Sequence, residues 1–453
     1  MKNVGAIKVS VVIAVYNSEK YLRQTMDSIL KQTLREIEVV CVDDGSDDAS
    51  LQILREYAHK DKRVRVLENR EVSDGAGAAR NLGISHAVGE YLSVLDADDF
   101  FEPDLLEKAY GKAISTQADV VLYDSYIYDE WLERDNSVAW ILAEAYLPNV
   151  EVFAPQDYAG SLFQMTLGAA WNMMVSRSLV EKYRIRFEAI HHADDLGFVY
   201  LCFACAGRIV LLRERLMHYR RNNEESQYSK ISQWPLAGCE ALCRLRQELE
   251  SRNLYGIYRV GFVNRALDYI AFYLEEMTEP SAFETLYEAL KREYLEKLDL
   301  FGIADEQISN QHTLNLRNQI QESSSCAYWM RKYQAYFKGH DDSFLFQSVL
   351  PQTLPEGASV AIYGAGIRGW RIFCALMEGK KHPVRAWVDK NFAQIGYPVQ
   401  SPEVLRNTKF DCILITMKSR DSLQEAKLFL ADMGIEVGKI YWMPLEWDRC
   451  AAS

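Results

Sequence analysis

Residues 9–17 read VSVVIAVYN, and this stretch decides the fold of the N-terminal part of the chain. A short apolar run rich in β-branched residues is typical of a strand that is buried on both faces of a parallel sheet. Polar residues follow it directly, and the amphipathic stretch 18–32 predicts a helix that Ser18 can cap. The chain therefore starts with a strand followed by a helix.

The same alternation of apolar runs and amphipathic stretches continues to residue 124. Further strands are predicted at 37–42, 64–68 and 91–95, one helix ends at Tyr57, and another spans 78–87. Strands and helices that alternate in this way form a mostly parallel sheet with helices on its faces. The predicted fold class is therefore α/β, with the sheet of a nucleotide-binding domain.

Two of these strands run directly into acidic turns, DDGS at 43–46 and DADD at 96–99. In sheets of this class, ligands bind outside the carboxyl ends of the strands. Asp44 can accept the imide N–H of a uracil base, although a turn of this composition can also simply cap the next helix. Asp96 and Asp98 can supply oxygen ligands to one Mg²⁺ or Mn²⁺, although an Asp-rich turn can also be merely solvated. Two acidic strand ends at one crevice repel each other, which favours a bound cation.

In order and spacing, four segments resemble the family 2 glycosyltransferases of the GT-A fold. They are VSVVIAVYN at 9–17, VDDGS at 42–46, ARNLG at 79–83 and LDADD at 95–99. The resemblance covers roughly residues 7–228 and implies an inverting transfer from a nucleotide-diphosphate sugar, usually a UDP-sugar, to an acceptor hydroxyl. The chain departs from the family pattern at Ala14, where proline is usual, and at Gly77, where serine is common.

The resemblance also implies roles for individual residues of this chain. Tyr16 and Asp44 would hold the uracil, and Arg80 would approach the nucleotide. Asp96 would contact the ribose or the metal, and Asp98 would ligate the metal.

A later segment, FEAIHHADDLGF at 187–198, resembles the acidic pair of the family that is followed by Phe. Displacement at an anomeric carbon needs a base, so we assign Asp195 as the base and Asp194 as its helper. The alternative is an N-terminal helix cap. Trp171 lies at the usual position of an acceptor-site aromatic, and a buried core tryptophan is the alternative. His192 is assigned to acceptor contact.

Three further groups have a functional and an ordinary interpretation. The basic strand end HYRR at 218–221 could place cations over a diphosphate, or it could be solvated. The pair His191-His192 invites a zinc site, but its spacing for metal ligands is poor. Cysteines at 202, 205, 239 and 243 raise the same question, and inert buried thiols are the favoured interpretation.

Composition limits the class of protein. The 453 residues include 51 basic and 64 acidic side chains, so the net charge of -13 argues against a broad nucleic-acid surface. Nine cysteines scattered through apolar segments fit reduced thiols. No run of about 18 apolar residues is present, and the apolar run at 9–16 lacks the cleavage site of a signal peptide. We therefore expect a cytoplasmic protein without a membrane span, which could associate peripherally with the inner face of the membrane.

The second half of the chain is predicted to differ in character. Helical spacing of leucines indicates a helical connecting domain at 231–345, after the GT-A domain at 1–230. After a boundary loop at 338–357, strands are predicted at 359–363, 384–388, 412–416 and 439–442, with a helix at 370–377. Residues 346–453 are expected to form a small Rossmann-like α/β domain. Its glycine-rich turn follows a strand, and an acid ends the next strand, which makes four residues nucleotide-binding candidates: Gly364, Gly366, Gly369 and Asp389. A dinucleotide or a nucleotide-sugar would fit this turn, and a role in assembly is the alternative.

The leading prediction is a metal-dependent inverting glycosyltransferase of the hexosyltransferase type that acts in bacterial surface glycan assembly. Its partners would be a nucleotide-sugar donor and a glycan or lipid-linked acceptor. The alternatives are a nucleotide-binding scaffold without turnover and a nucleotidyltransferase. The latter should carry a glycine-rich, lysine-containing loop after its first strand, which residues 14–18 do not supply. The donor sugar, the acceptor, the linkage, the role of the C-terminal domain and the oligomeric state are not readable from the sequence.

Overall fold

The first sheet is built around the strand at Val9–Val15, which is apolar at every position except Ser10. The structure is a computed structural model, and it describes residues 6–69, 75–130, 134–136, 141–221, 231–277, 279–325, 328, 354–366, 369, 372–373, 376, 382–392, 399–417 and 420–442. These residues form two compact units, the first of residues 1–277 and 282–322, and the second of residues 278–281 and 323–453.

The described strands of the first unit belong to one ten-stranded sheet. They are β1 (Val9–Val15), β2 (Ile37–Asp43), β3 (Val64–Glu68), β4 (Tyr91–Asp96), β5 (Phe100–Phe101), β6 (Val120–Asp129), β7 (Arg134–Asn136), β8 (Val152–Phe153), β9 (Met173–Ser176) and β10 (Ile209–Arg221). The main path runs β3-β2-β1-β4-β9-β6-β10-β5, with β7 paired to β6 and β8 paired to β10.

The four N-terminal strands are parallel, as the sequence predicts. β1 pairs in parallel with β2 on one side and with β4 on the other. All seven residues of β2 are buried, because helices cover both faces of a sheet of this kind. β9 then enters antiparallel to both β4 and β6, so the complete sheet is mixed. The order changes direction at β1, and a crevice at such a point is where ligands bind.

Helices surround this sheet and continue beyond it. Those of the first unit are α1 (Glu19–Leu30), α2 (Ser50–Lys60), α3 (Ala76–His86), α4 (Leu105–Thr116), α5 (Arg177–Lys182), α6 (Asp195–Cys205), α7 (Ala237–Ser251), α8 (Tyr255–Glu276), α9 (Pro280–Ala289), α10 (Leu295–Lys297) and α11 (Gln311–Glu322). The apolar face of α1, with Leu22, Met26 and Ile29, packs in the same core as β1. No helix among the described residues is both long and apolar enough to cross a membrane.

The predicted helical connecting segment does form helices. α7 and α8 lie in the same compact unit as the sheet, and α7 packs against α6. The predicted division into three domains stays a prediction, and both of its boundaries, at 230/231 and 345/346, involve residues outside the described ranges. The described cysteines, including Cys202 and Cys239, are free thiols, as expected for reduced cysteines.

The second unit contains a four-stranded parallel sheet in the order β12-β11-β13-β14. Its strands are β11 (Val360–Tyr363), β12 (Val384–Val388), β13 (Cys412–Ile415) and β14 (Ile440–Trp442), and α12 (Arg420–Asp432) packs on it. These strands agree with the predicted ones. Most of the helix predicted at 370–377 and of the boundary loop predicted at 338–357 lies outside the described residues. The assignment of this unit as Rossmann-like stays a prediction.

Candidate active site

A cavity of about 1040 Å³ opens in the first unit at the carboxyl ends of β1 and β4. Every site residue that the sequence predicts within this unit borders it: Tyr16, Asp44, Arg80, Asp96, Asp98, Trp171, His192, Asp194 and Asp195. Segments that are far apart in sequence therefore meet in one place, as the position of the acidic turns predicted.

The turns after β1 and β2 hold each other in place. The backbone of Asn17 is in the left-handed region, with φ 46°, and its side-chain Oδ1 accepts a hydrogen bond from Asp47 N at 2.8 Å. Asp44 donates through its backbone N to Val15 O at 2.8 Å, and its carboxylate accepts a hydrogen bond from Asn69 Nδ2 at 2.7 Å. Tyr16, in contrast, is 53% exposed at the rim of the cavity.

The alternative that Asp44 caps the following helix is not supported. α2 begins only at Ser50, and the carboxylate of Asp48 accepts the hydrogen bond from Ser50 N at 2.8 Å. Asp44 is instead buried at the end of β2 and borders the cavity. Asp44 therefore lies at the cavity and does not cap the helix.

Arg80 joins two carboxylates at the centre of the cavity wall. Its Nη2 donates to Asp96 Oδ1 at 2.6 Å, and its Nη1 donates to Asp194 Oδ2 at 2.6 Å. Burial by itself would lower the pKa of Arg80, but Asp194 and Asp96 raise it above its ordinary value. Arg80 thus remains charged and connects the end of β4 to the segment before α6.

Glycines at the start of α3 allow this close contact. Gly75 has φ 100°, and a Cβ on Gly77 would lie 1.9 Å from Glu188 O. Asn81 then exchanges two hydrogen bonds with the backbone of Phe187, at 2.8 and 2.9 Å. The departure from serine at position 77 therefore has a structural reason, since any side chain there would push α3 away from the segment that carries the acidic pair.

The DADD turn directs its acids differently. Asp99 is buried, accepts a hydrogen bond from Arg220 N at 2.8 Å, and has a raised pKa because of burial and of the nearby Asp98 and Asp96. Arg220 donates through Nε to Asp98 O at 2.7 Å and lies over the Tyr21 ring at 4.5 Å. The suggested role of Arg220 as a cover for a diphosphate is therefore not supported, because its guanidinium secures this turn.

The acids of the turn fit a Mg²⁺ or Mn²⁺ only in part. Asp96 is paired to Arg80, and Asp99 is bound by the backbone of Arg220, whereas Asp98 borders the cavity. One or two carboxylates together with substrate phosphates are the usual surroundings of Mg²⁺, so Asp98 suits this role better than Asp96. Within the described ranges, no group of three or more His, Cys, Asp or Glu side chains is arranged to hold a metal, so neither zinc alternative gains support.

Asp195 is the first residue of α6, on the floor of the cavity. Its Oδ2 accepts a hydrogen bond from Ala170 N at 3.3 Å. Burial, followed by the charge of Asp194, raises the pKa of Asp195 to about 7. Burial raises the pKa of Asp194 as well. Asp194 makes no side-chain hydrogen bond as the N-cap of α6, so helix capping does not account for the pair.

The two predicted acceptor-contact residues also border the cavity. Trp171 is 5% exposed and stacks on Tyr219, with 4.8 Å between ring centroids. It is therefore both a core residue and part of the wall. His192 packs against the Tyr273 ring at 5.7 Å, and burial lowers its pKa to about 4, which leaves its imidazole neutral at pH 7.

Part of the cavity wall was missed by the sequence analysis. α8 and the turn before α7, assigned only to a connecting domain, contribute Gln233, Trp234, Arg265, Asp268, Tyr269, Phe272, Tyr273 and Glu276. Arg265, Asp268, Phe272 and Glu276 recur every three or four residues, which places them on one helical face. This mixed polar and aromatic face is the sequence pattern that could have indicated that α8 borders a binding site.

The predicted C-terminal site, in the second unit, has its glycine-rich turn and acid in contact. Asp389 Oδ2 accepts a hydrogen bond from Ala365 N at 2.7 Å, and its Oδ1 accepts one from Asn391 N at 2.8 Å. Gly364 has φ 108°, and a Cβ on Gly369 would lie 2.0 Å from Gly364 O. A Cβ added at Gly366 would have no atom within 4 Å. These contacts give Gly364, Gly369 and Asp389 structural roles, and nucleotide binding here stays a prediction.

Comparison with known proteins agrees with the geometry of the first unit. The family model described as glycosyl transferase family 2 matches residues 10–184. The chain is 33% identical to the putative glycosyltransferase EpsH of Bacillus subtilis over 218 residues, which are 47% of this chain and 60% of that protein. It is 30% identical to the glycosyltransferase GlyG of Streptococcus pneumoniae over 272 residues, which are 58% of this chain and 87% of that protein.

A solved structure supports the fold. The structure of S. aureus TarS 1-349 in complex with UDP-GlcNAc has a TM-score of 0.57 and 20% identity, and the match covers 74% of this chain and 92% of that one. The ordered motifs, the fold shared with TarS and the match to most of GlyG all indicate the same family. The chain belongs to glycosyltransferase family 2 and is a glycosyltransferase.

Proposed function

We propose that this chain is a metal-dependent, inverting glycosyltransferase that transfers a hexose from a UDP-sugar to an acceptor hydroxyl. The observation that carries the proposal is the shared cavity, which brings the ends of β1, β2 and β4 together with Asp195. The likeness of the fold to TarS, whose structure contains UDP-GlcNAc, is consistent with a UDP-sugar donor. EpsH is matched over only 60% of its length, so the proposal concerns this chain alone.

The donor would bind at the ends of the parallel strands. Asp44, whose carboxylate accepts a hydrogen bond from Asn69, would accept the imide N–H of uracil, and the exposed ring of Tyr16 would cover the base. Arg80 borders the same space, but both its terminal nitrogens bind carboxylates. We therefore assign Arg80 a positioning role between the donor and the acceptor ends, in place of a direct grip on the nucleotide.

Asp98 would hold Mg²⁺ or Mn²⁺ together with the phosphates of the donor. When bound, such an ion stabilises the charge that develops on the leaving diphosphate. The part of the protein in this step is to present the Asp98 carboxylate in a fixed turn. Arg220 supplies that rigidity, because it binds both the carbonyl of Asp98 and the carboxylate of Asp99.

Asp195 would remove the proton from the acceptor hydroxyl. The acceptor oxygen then forms a bond to the anomeric carbon while the bond from that carbon to the diphosphate oxygen breaks, which inverts the configuration. A base with a pKa near the working pH is efficient, and the pKa of Asp195 is raised to about 7. Asp194 is held by Arg80 and keeps the carboxylate beside it in place.

Turnover of sugar nucleotides tests this proposal. Wild-type protein with Mn²⁺ should transfer sugar from a UDP-sugar, and Asp195→Asn should lower the rate by about 10²- to 10⁴-fold while UDP still binds. Asp98→Ala should also abolish transfer. Asp157→Asn is the matched control, because Asp157 is exposed and does not border the cavity. Full activity of either active-site variant would overturn the assignment, and binding of UDP without any transfer would favour the scaffold alternative.

For the biological setting, we propose bacterial surface glycan assembly at the cytoplasmic face of the membrane. This rests on the resemblance of the four N-terminal motifs, which implies glycan or lipid-linked acceptors. The three-domain organisation belongs to the same proposal, with the second unit as a ligand-binding or assembly module.

A further inference from the structure

One wall of the cavity is formed by a face of α8 that the reaction proposed above does not use. Asp268, Phe272 and Glu276 lie on this face, and Trp234 joins them from the turn before α7. Aromatic rings next to carboxylates are well suited to a sugar, since the rings cover the apolar face of a pyranose and the carboxylates accept hydrogen bonds from its hydroxyls.

This wall is in contact with the segment that carries the base. The rings of His191 and Trp234 stack with 4.8 Å between centroids and 24° between planes. His192 packs against Tyr273 of α8 at 5.7 Å. Asp195 borders the same cavity, and its charge contributes to the raised pKa of Tyr269 on α8. A group bound at the α8 wall therefore lies near the carboxylate that would take its proton.

The charges around this wall disfavour an anionic ligand. Asp268 and Glu276 border it together with the acidic pair that precedes and starts α6. Arg265 is the basic side chain that α8 contributes, but its Nη2 donates to Leu167 O at 2.9 Å and its guanidinium lies 5.8 Å from the Tyr269 ring centroid. His192 adds no positive charge at pH 7, because burial lowers its pKa to about 4.

We propose that the α8 face and Trp234 form the acceptor subsite of this enzyme, and that the subsite takes an uncharged terminal sugar of a glycan. The proposal rests on the proposed function, since it places the acceptor beside the assigned base. It also changes the role of the helical segment from a connector to a part of the site that selects the acceptor.

Binding can be tested without knowledge of the natural acceptor. The probes are methyl glycosides of glucose, galactose, mannose and N-acetylglucosamine, with methyl β-D-glucuronide as the anionic counterpart. Saturation-transfer NMR on the full chain with UDP and the diamagnetic Mg²⁺ should show binding of at least one neutral glycoside and weaker binding of the glucuronide. Trp234→Leu and Phe272→Leu should each weaken binding of the neutral glycoside about two- to tenfold, and Trp234→Phe should retain most of it.

A matched pair of charge variants distinguishes the effect of a charge on the cavity wall from the effect of a charge elsewhere on α8. Glu276→Gln should improve binding of the glucuronide relative to the neutral glycoside, because it removes a repelling charge from the cavity wall. Glu275→Gln should leave the ratio unchanged, since Glu275 faces His312 at 2.8 Å and does not border the cavity. An equal change in both variants would contradict the proposal.

The outcomes distinguish this proposal from the proposed function. Calorimetric titration with UDP should be unchanged in the α8 variants. If UDP binds but no neutral glycoside does, if the glucuronide binds more tightly, or if both leucine variants bind the neutral glycoside as the wild type does, the acceptor subsite is wrong. If wild-type protein does not bind UDP at all, the result overturns the proposed function itself and not only the acceptor subsite.

Discussion

Arg80 Nη1 lies 2.6 Å from Asp194 Oδ2, and this ion pair links helix α3 to the segment that leads into Asp195, across 114 residues of sequence. The other terminal nitrogen of Arg80 binds Asp96 at the end of β4. One guanidinium therefore fixes Asp96 and Asp194 relative to each other. Since Arg80 is buried and its partners are only partly exposed, the pair is screened little by solvent.

The first prediction concerns the pH dependence of transfer. Asp195 must be deprotonated to act as a base, and burial together with Asp194 raises its pKa to about 7. The kcat/KM for the acceptor should therefore rise with pH below about 7 and level off above it. Initial rates between about pH 5 and pH 9 measure this, and a profile that falls over that range would contradict the assignment of Asp195.

The second prediction concerns the charge of Arg80. The positive charge of Arg80 lowers the pKa of Asp195, so Arg80→Gln should move the midpoint of the pH profile above that of the wild type. Arg80→Lys keeps the charge and should leave the midpoint close to the wild-type value. A Gln variant with an unchanged midpoint would show that Arg80 does not act on the base.

The third prediction concerns the stability that this ion pair supplies. Removal of one partner of a buried ion pair is expected to lower the free energy of unfolding by about 3–5 kcal/mol, because the other charges remain buried. Arg80→Gln should approach this loss in urea unfolding. Arg55→Gln is the control, since the side chains of Arg55 and its partner Glu68 are 60% and 46% exposed and such surface pairs contribute about 0–1 kcal/mol. Equal losses in the two variants would contradict a special role for Arg80.

The fourth prediction concerns the metal. Removal of divalent ions with EDTA should stop transfer, and Mn²⁺ or Mg²⁺ should restore it. Asp98→Asn should raise the Mn²⁺ concentration needed for half-maximal rate, because a neutral amide is a weaker ligand than a carboxylate. Asp157→Asn should respond to Mn²⁺ as the wild type does. Transfer that persists after complete removal of metal would overturn the role of Asp98.

The fifth prediction concerns the packing of α3. A Cβ at position 77 would lie 1.9 Å from Glu188 O, so Gly77→Ala should destabilise the first unit and lower activity by displacing Arg80 from Asp194. Gly111→Ala, in the middle of α4, meets nothing within 4 Å and should stabilise the helix by about 0.5–1 kcal/mol. Urea unfolding and transfer rates measure both. A Gly77→Ala variant with unchanged stability and transfer rate would show that α3 can shift without loss of either.

Much of the first unit is predictable because local patterns report it directly. The nearly continuous apolar run of β1 identifies the strand at Val9–Val15, since a strand buried on both faces carries apolar side chains at almost every position. The acidic turns after β2 and β4 indicate a ligand crevice for the same reason that any parallel sheet collects ligands at its carboxyl edge.

Other features could not be read from local patterns. Arg220 looks like a phosphate-binding cation in the sequence, but in the structure it holds Asp98 and Asp99, because the partners of a side chain depend on strands that pair across the sheet. The α8 face looked like part of a connector, because the helical periodicity shows which residues share a face but not what lies opposite. His191 and Trp234 meet only because the fold brings their segments together.

The sequence by itself determined the order of strands and helices, the family and the acids to which we assign the chemistry, since these follow from side-chain type and spacing along the chain. The tertiary structure alone decided which acid pairs with which cation, which carboxylate has its pKa raised towards 7, and which helix completes the cavity wall. Burial and Coulomb interaction depend on distances between segments far apart in the chain, and no local pattern encodes those distances.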